Sequence, residues 1–526
     1  MARRHRIKPG RASSSRRSAS KASPAERFMP EGVRALSSER FEEAAELFAR
    51  AVQADWRHVH ARLFHARALG MLGRQGECAE QIERLVQIAG RDVAILLEAG
   101  QTLERFGLFE HAARVYERAR QVAPHEAEAM VRAAAVCERL HRLEDAETLA
   151  REALGRDADC HEAQLVLARV LRRFKRLDEA DELLNEAVRQ EGLADLLHAR
   201  LWYELAGVLD AQERYQEAAS ALTHAKQALS ERRAALAAGA EEAEYTLRRL
   251  VQEMTPARVA QWEEASRSLE PARLAALVGF PRSGTTLLER IIDAHPMIES
   301  VEESLHLSTE LVTGFARAVP GADSIAQQLD RVSLEDVRRC RAAYFKAMSS
   351  HLLSPLGDRY LLDKNPIRTL VMPVLRRAVP DAKIITAVRD PRDVVLSNLM
   401  QAYEPSAMNL AFLDVEQGGR FYALNMGGWL KLRELIDGWI EVRYEDVVAD
   451  ALAQARRVLD LLKLEWDEAL ERFDEVSRDK AVRSPTYAAV QEKVYTRAVG
   501  RWEHYAEYLA PAMPHLEPIV KALGYG

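Results

Sequence analysis

Three short polar clusters in the chain each follow directly on an apolar run. They are Gly279-Phe280-Pro281-Arg282-Ser283-Gly284-Thr285-Thr286, then Asp363-Lys364-Asn365-Pro366, then Arg389-Asp390-Pro391-Arg392-Asp393 with Ser397 eight residues after Arg389. The first has the G-x-x-x-x-G spacing of a phosphate-binding loop, followed by an amphipathic stretch, Leu287–Ala294, that stops near Pro296. Backbone N–H groups of such a loop, with the helix N-terminus behind it, bind phosphate-like oxyanions. A kinase or ATPase places a lysine after the second glycine to reach the β- and γ-phosphates; here that position is Thr285, and the cation is Arg282, inside the loop. The chemistry this suits is a nucleotide with one phosphate-like bridge, not a metal-bound triphosphate. In the third cluster the Arg389 guanidinium and the Ser397 hydroxyl could converge on a second phosphate. Asp390 and Asp393 alternatively make the same segment a structural ion-pair turn.

These clusters need a sheet to hold them. Four apolar runs, Leu274–Val278, Tyr360–Leu362, Lys383–Val388 and Trp439–Val442, alternate with longer amphipathic stretches. This is the pattern of an α/β domain with a parallel sheet. Open α/β sheets bind ligands at the carboxyl ends of their strands, where the three clusters fall.

Together, GFPRSGTTLLERIIDAHP and AVRDPRDVVLSNLMQ resemble the 5′-phosphosulfate loop and the 3′-phosphate motif of the sulfotransferase superfamily, within it the bacterial repeat-containing enzymes and the tyrosylprotein sulfotransferases. The resemblance runs from about Leu274 to Trp502. It implies 3′-phosphoadenosine-5′-phosphosulfate (PAPS) as co-substrate, with Arg282, Ser283, Gly284, Thr285 and Thr286 on the 5′ phosphosulfate and Arg389 and Ser397 on the 3′-phosphate. It implies no metal, since arginine and lysine supply the positive charge. Asp363-Lys364-Asn365-Pro366 looks like the family's Asn-Lys-Asp-Pro with acid and amide exchanged, and puts Lys364 on the sulfate bridge. The segment Glu299-Ser300-Val301-Glu302-Glu303-Ser304 stands where tyrosylprotein sulfotransferases carry Gly-Glu-Glu-Thr, whose second glutamate is the base; that residue maps to Glu303. Val301, Ser304 and Leu305 depart from the family's glycine, threonine and following arginine. A solvated helix start is the other reading of Glu302 and Glu303. His306 is the alternative base, whereas His295 reads as a cap of the loop helix. Tyr444 is expected near the nucleotide or as a plain strand end, and Lys493 or Arg497 as the last phosphate contact, in place of the basic residue that relatives carry near Gln491 and Glu492.

The first 230 residues have a different texture, rich in Ala, Leu, Arg and Glu. Small residues recur at Ala44, Cys78, Ala112, Ala146, Ala180 and Ala218, at intervals of 34, 34, 34, 34 and 38. Seven residues after each comes Ala51, Leu85, Ala119, Ala153, Ala187 or Ala225; three before stands Phe41, Gln75, Phe109, Leu143, Leu177 or Tyr215. A small residue lets two helices approach, a bulky one fills the neighbouring groove, and helix pairs that cannot bury their apolar faces alone must stack. The period resembles the tetratricopeptide repeat, which implies a solenoid with a protein or peptide partner on its concave face.

The expected architecture is therefore multidomain, α plus α/β: a basic tail over residues 1–25, a repeat solenoid over 26–230, a helical connector over 231–270 and a P-loop-like sulfotransferase domain over 271–526. With 48% apolar and 29% charged residues and a net charge of −6, composition is that of a globular protein with no field that would favour nucleic acid. No apolar run is long enough to span a membrane. The four cysteines have no C-x-x-C spacing and read as reduced thiols in a reducing, cytoplasmic setting. The tail, with Arg3, Arg4, Arg6, Lys8, Arg11, Arg16, Arg17 and Lys21, reads as solvated and disordered or as an organellar transit peptide. The function expected is transfer of a sulfuryl group to a hydroxyl of a protein, peptide or glycan recruited by the repeats. The alternative is a repeat scaffold whose second half binds nucleotide without catalysis. Acceptor and oligomeric state are not specified by the residues.

Overall fold

The computed structural model describes residues 23–38, 40–352, 354–473 and 498–526. The basic tail before Ser23 lies outside them. By its internal packing the chain forms two compact units, one ending at Ile95 and one running from Leu96 to Gly526.

In the first unit the helices Met29–Ser37, Phe41–Ala54, Val59–Met71 and Gln75–Ala89 pair in antiparallel fashion. In the second, the pattern continues through Phe109–Val122, Ala127–Arg139, Leu143–Arg156, His161–Arg173, Leu177–Ala187, Asp195–Ala211 and Tyr215–Ala228. The periodic small residues are the helix-to-helix contacts: Ala44, Cys78, Ala112, Ala146, Ala180 and Ala218 are all fully buried. Each bulky residue three positions earlier opens its helix. Two residues before each of the last five openings sits a left-handed residue, at Gly73, Gly107, His141, Lys175 and Glu213. That conformation reverses the chain in the shortest turn, and glycine adopts it most cheaply. Replacing glycine by His, Lys or Glu in the later repeats costs about 1–2 kcal/mol per turn, which the packing must offset.

The helices Ser230–Glu253 and Pro256–Ser266 follow. The second is started by Thr255, whose hydroxyl accepts from the Arg258 N–H, and by Pro256 in the first turn, where no N–H is needed. Its Trp262 is buried and donates to Asp330 Oδ1 at 2.8 Å.

Beyond it lies a five-stranded, all-parallel sheet of β1 (Leu274–Val278), β2 (Ile298–Glu302), β3 (Tyr360–Lys364), β4 (Lys383–Val388) and β5 (Trp439–Arg443), in the order β2-β3-β1-β4-β5. Both faces are covered. Leu274, Ala276, Val278, Leu361 and Ile384 enter one core, which extends to the last repeats and to Trp429 and Leu516. Ala275, Leu277, Leu362, Ile385 and Val442 enter the other, against Ile291 and Leu459. This alternation explains why β1 reads as an unbroken apolar run. The strand β2 was not among the four runs: Ile-Glu-Ser-Val-Glu lies at the sheet edge with only Ile298 and Val301 buried. Glu302 therefore ends a strand and does not start a helix.

With β1 central and the chain leaving it first to one side and then to the other, the loops after β3, β1 and β4 stand side by side. This is the switch-point geometry of a ligand-binding crevice. Among the described residues no helix is long and apolar enough to cross a membrane. The four cysteines are free thiols, and burial pushes Cys78 up to about 12.

Candidate active site

The loop after β1 is shaped by two glycines. Gly279 has φ +146°, and a Cβ there would lie 2.3 Å from the Ala387 carbonyl oxygen on β4. Gly284 has φ +95°, and a Cβ there would lie 2.5 Å from the Tyr444 ring. Inside the loop, the buried Ser283 hydroxyl donates to the Phe280 carbonyl at 2.7 Å, and Thr369 ties down Gly279, whose N–H it accepts at 3.0 Å. The helix Thr285–Ile292 starts at Gly284 with no side-chain cap. Its first N–H groups, at Thr285 and Thr286, therefore keep their capacity for an anion.

Arg282 and Ser397 meet: Arg282 Nε donates to Ser397 Oγ at 3.0 Å. Arg389 Nη1 donates to the Arg282 carbonyl at 3.2 Å, and its Nη2 to the Ala498 carbonyl. The guanidinium lies 4.8 Å over the Tyr444 ring, which places Tyr444 against both the loop and Arg389. Arg389 Nε is buried without a hydrogen-bond partner among the described residues. A buried cationic donor left over beside an uncapped helix start is what a second oxyanion would satisfy.

Asp390 and Asp393 do the structural work anticipated as the alternative, without displacing Arg389. Asp390 caps the helix Pro391–Leu399 and grips Arg392 with both oxygens, at 2.9 and 2.7 Å. Asp393 accepts the N–H groups of Gly500 and Trp502, each at 2.8 Å, and lies 3.7 Å from Arg389 Nη2. Burial raises its pKa, against the pull of Arg389 and the two amides.

On the other side of β1, Lys364 ends β3 with its side chain fully enclosed. Its ammonium lies 2.9 Å from Glu302, 3.1 Å from Glu303 and 3.3 Å from Glu289. Burial works against this charge, but the three carboxylates together raise the lysine pKa. Glu289 sits on the loop helix and its pKa is also raised, first by burial, with Lys364 opposing and Glu302 adding to it. Glu303 is the most open of the three, with 42% of its side chain exposed. Its backbone is left-handed, φ +48°, as is that of Arg282 at +74°. The other four non-glycine residues of this kind among those described, His141, Lys175, Glu213 and Lys463, sit in turns beside helix ends. Strained backbone outside such turns is stored preferentially at functional positions. The Glu303 N–H donates to the Lys364 carbonyl at 2.7 Å and Asn365 Nδ2 to the Ser304 carbonyl at 3.0 Å, so the β3 end pins the Glu303 turn from both sides.

His306 Nε2 is 2.8 Å from His351 Nε2, and burial lowers its pKa. His295 accepts the Met297 N–H on Nδ1 and reaches the Glu465 carbonyl with Nε2, so its ring ties the turn before β2 to the segment at Glu465, while Asp293 is the C-cap of the loop helix. Lys493, Arg497, Gln491 and Glu492 lie outside the described residues. Sequence reading passed over Glu289, Asn398 and Tyr403. Asn398 Nδ2 donates to the Pro281 carbonyl at 2.9 Å, and Asn398 Oδ1 accepts from the Tyr403 hydroxyl at 2.9 Å. Burial pushes Tyr403 up to about 12, while Arg282 pulls it down and Glu303 pushes it further up. The only signal for Glu289 was a carboxylate on the otherwise apolar side of the loop helix.

Residues 275–468 match the sulfotransferase family, and residues 97–159 and 138–192 match the tetratricopeptide repeat. An uncharacterized protein of Aquifex aeolicus (strain VF5) is 26% identical over 291 residues, covering 54% of this chain and 37% of that protein. A protein-tyrosine sulfotransferase 2 of Gallus gallus is 25% identical over 266 residues, covering 47% of this chain and 68% of that enzyme. Among solved structures, the sulfotransferase domain of the Synechococcus PCC 7002 olefin synthase aligns with a TM-score of 0.34 at 18% identity, covering 48% of this chain and 95% of that domain.

Proposed function

We propose that this chain, a tetratricopeptide-repeat protein with a sulfotransferase-family domain, moves a sulfuryl group from PAPS to a hydroxyl of a protein, peptide or glycan acceptor recruited by the repeats. The observation that carries the reading is the meeting of two oxyanion motifs: Arg282 of the loop bonds Ser397 at 3.0 Å, and Arg389 bonds the Arg282 carbonyl at 3.2 Å. A donor with phosphates at both ends of one ribose needs two anion sites held at fixed separation, and a triphosphate does not.

The residues then divide the work. The loop amides of Gly284, Thr285 and Thr286, with Ser283 and Arg282, hold the 5′ end; Arg389 and Ser397 hold the 3′-phosphate, and Tyr444 backs both. Glu303 takes the proton of the acceptor hydroxyl as its oxygen bonds to sulfur. The sulfur–oxygen bond to the 5′-phosphate breaks, and the electron pair leaves on that phosphate oxygen. Arg282 and Lys364 offset the charge that builds there. Lys364 reaches the leaving oxygen by giving up one of its three carboxylate partners, which ties departure of the nucleotide to the state of Glu303. The free thiols accord with a reducing, cytoplasmic compartment.

Calorimetry with 3′-phosphoadenosine-5′-phosphate, followed by radiolabel transfer from the sulfated donor, tests the proposal. Binding plus transfer supports it. Binding with no transfer to any acceptor, water included, supports the scaffold alternative, and magnesium-dependent ATP binding in place of both overturns it.

A further inference from the structure

The last repeat makes ionic contact with the segment that completes the nucleotide site. Asp210, in the final turn of Asp195–Ala211, takes Arg501 with both oxygens, Nε to Oδ1 at 3.1 Å and Nη2 to Oδ2 at 2.6 Å. The same Oδ1 accepts the Tyr505 hydroxyl at 2.7 Å. Tyr215, which opens the next helix, stacks on His504 with ring centroids 4.2 Å apart and meets Tyr505 edge-on at 5.7 Å. Arg501 is part-buried, with 29% of its side chain exposed. Burial alone lowers its pKa, but Asp210 more than reverses this.

The two residues flanking Arg501 face the other way. Gly500 N–H and Trp502 N–H each donate at 2.8 Å to Asp393, the carboxylate beside Arg389. The Trp502 ring also carries the Arg392 guanidinium at 3.8 Å. Arg501 points into the repeat while its neighbours' amides point at the phosphate-binding arginine's partner. An interaction that fixes Arg501 therefore fixes Asp393, and through it the direction of Arg389.

We propose that Asp210 is a positioning residue for the 3′-phosphate site, so that the repeat array forms part of the nucleotide-binding machinery as well as recruiting an acceptor. The inference rests on the sulfotransferase reading and adds to it a residue outside the catalytic half. A chain in which the repeats served only as a tether would need no carboxylate at this place holding both Arg501 and Tyr505. An Asp210-to-Arg501 pair that served only stability would affect every ligand equally.

The test compares two nucleotides on the full chain by calorimetry: 3′-phosphoadenosine-5′-phosphate, and adenosine 5′-phosphate, which lacks the 3′ group. In Asp210→Ala the first is expected to bind about 10-fold or more weaker, the scale of one charge-assisted hydrogen bond, while the second is unchanged. The 3′-selectivity ratio therefore collapses. Asp210→Asn, which keeps the volume and one accepting oxygen, is expected to fall between; it serves as the readout if Asp210→Ala does not fold. A selectivity ratio equal to that of the unaltered chain in a folded variant overturns the inference and leaves the functional proposal standing. Failure of the unaltered chain to prefer the 3′-phosphorylated nucleotide overturns both.

Discussion

Lys364 and Glu303 are joined twice. The side chains form an ion pair at 3.1 Å, and the Glu303 N–H donates to the Lys364 carbonyl at 2.7 Å. A carboxylate on a left-handed backbone would otherwise sample several directions, and this double tie leaves it one. Even so, 42% of its side chain stays exposed. The pairing also explains how a fully buried lysine keeps its charge: three carboxylates share one ammonium.

Replacing the base tests this arrangement most directly. Glu303→Gln is expected to keep nucleotide affinity within about 3-fold and to lower turnover by about 100- to 10,000-fold, the range for removing a general base. Steady-state transfer rates and calorimetry on the same preparation check both halves. Undiminished turnover would transfer the role to His306.

The two arginines are expected to act on binding. Arg282→Ala and Arg389→Ala should each weaken 3′-phosphoadenosine-5′-phosphate by about 10- to 100-fold, as each removes charged hydrogen bonds. Only Arg282→Ala should also slow the chemical step measured at saturating donor.

Gly284→Ala puts a methyl group 2.5 Å from the Tyr444 ring and forces a side chain onto φ +95°. We expect a stability loss of about 1–3 kcal/mol together with weaker nucleotide binding. Because the backbone term persists whatever faces it, Tyr444→Leu added to Gly284→Ala should recover only part of the loss. Denaturant titration of the single and double variants measures this.

Lys226 gives a pH test. It is buried, donates to the Leu399 carbonyl at 2.7 Å, and burial lowers its pKa to about 7, with Asp414 opposing. Above that value the folded state has released a proton that the unfolded state keeps up to its ordinary value of 10.5. The unfolded state thus binds more protons between these limits, and stability rises with pH across that window, by at most about 1.4 kcal/mol per pH unit from this group. Chemical denaturation at about pH 7 and about pH 9 should show that increment in the unaltered chain and lose it in Lys226→Met. An identical pH dependence in both would mean that the ammonium is not desolvated.

Much of this was legible in the residues because repeats and loops obey local rules. The period of 34 located every small helix contact from Ala44 to Ala180, and the glycine spacing of the loop located its turn. What stayed hidden depends on partners far apart in the chain. The strand β2 escaped because an edge strand needs few apolar residues, so a helix start stayed open as the other reading of Glu302 and Glu303. Glu289 went unread because its partner Lys364, 3.3 Å away, comes from a strand 75 residues further on. Asp390 and Asp393 read as ion-pair partners competing with the phosphate role of Arg389; in the fold Asp390 pairs with Arg392, and only Asp393 stands beside Arg389, at 3.7 Å. The left-handed turns before Leu143, Leu177 and Tyr215 lacked the glycine that marks the earlier ones.

Asp210 precedes Arg501 by 291 residues, so at ribosomal speeds of about 5–20 residues per second the two are made roughly 15–60 s apart. The repeat ends before the sheet exists and waits, with its acidic grip open, for the last stretch of the chain to arrive. A nascent or stalled polypeptide can thus carry a finished repeat array while the Gly500 and Trp502 amides that hold Asp393 have yet to be made.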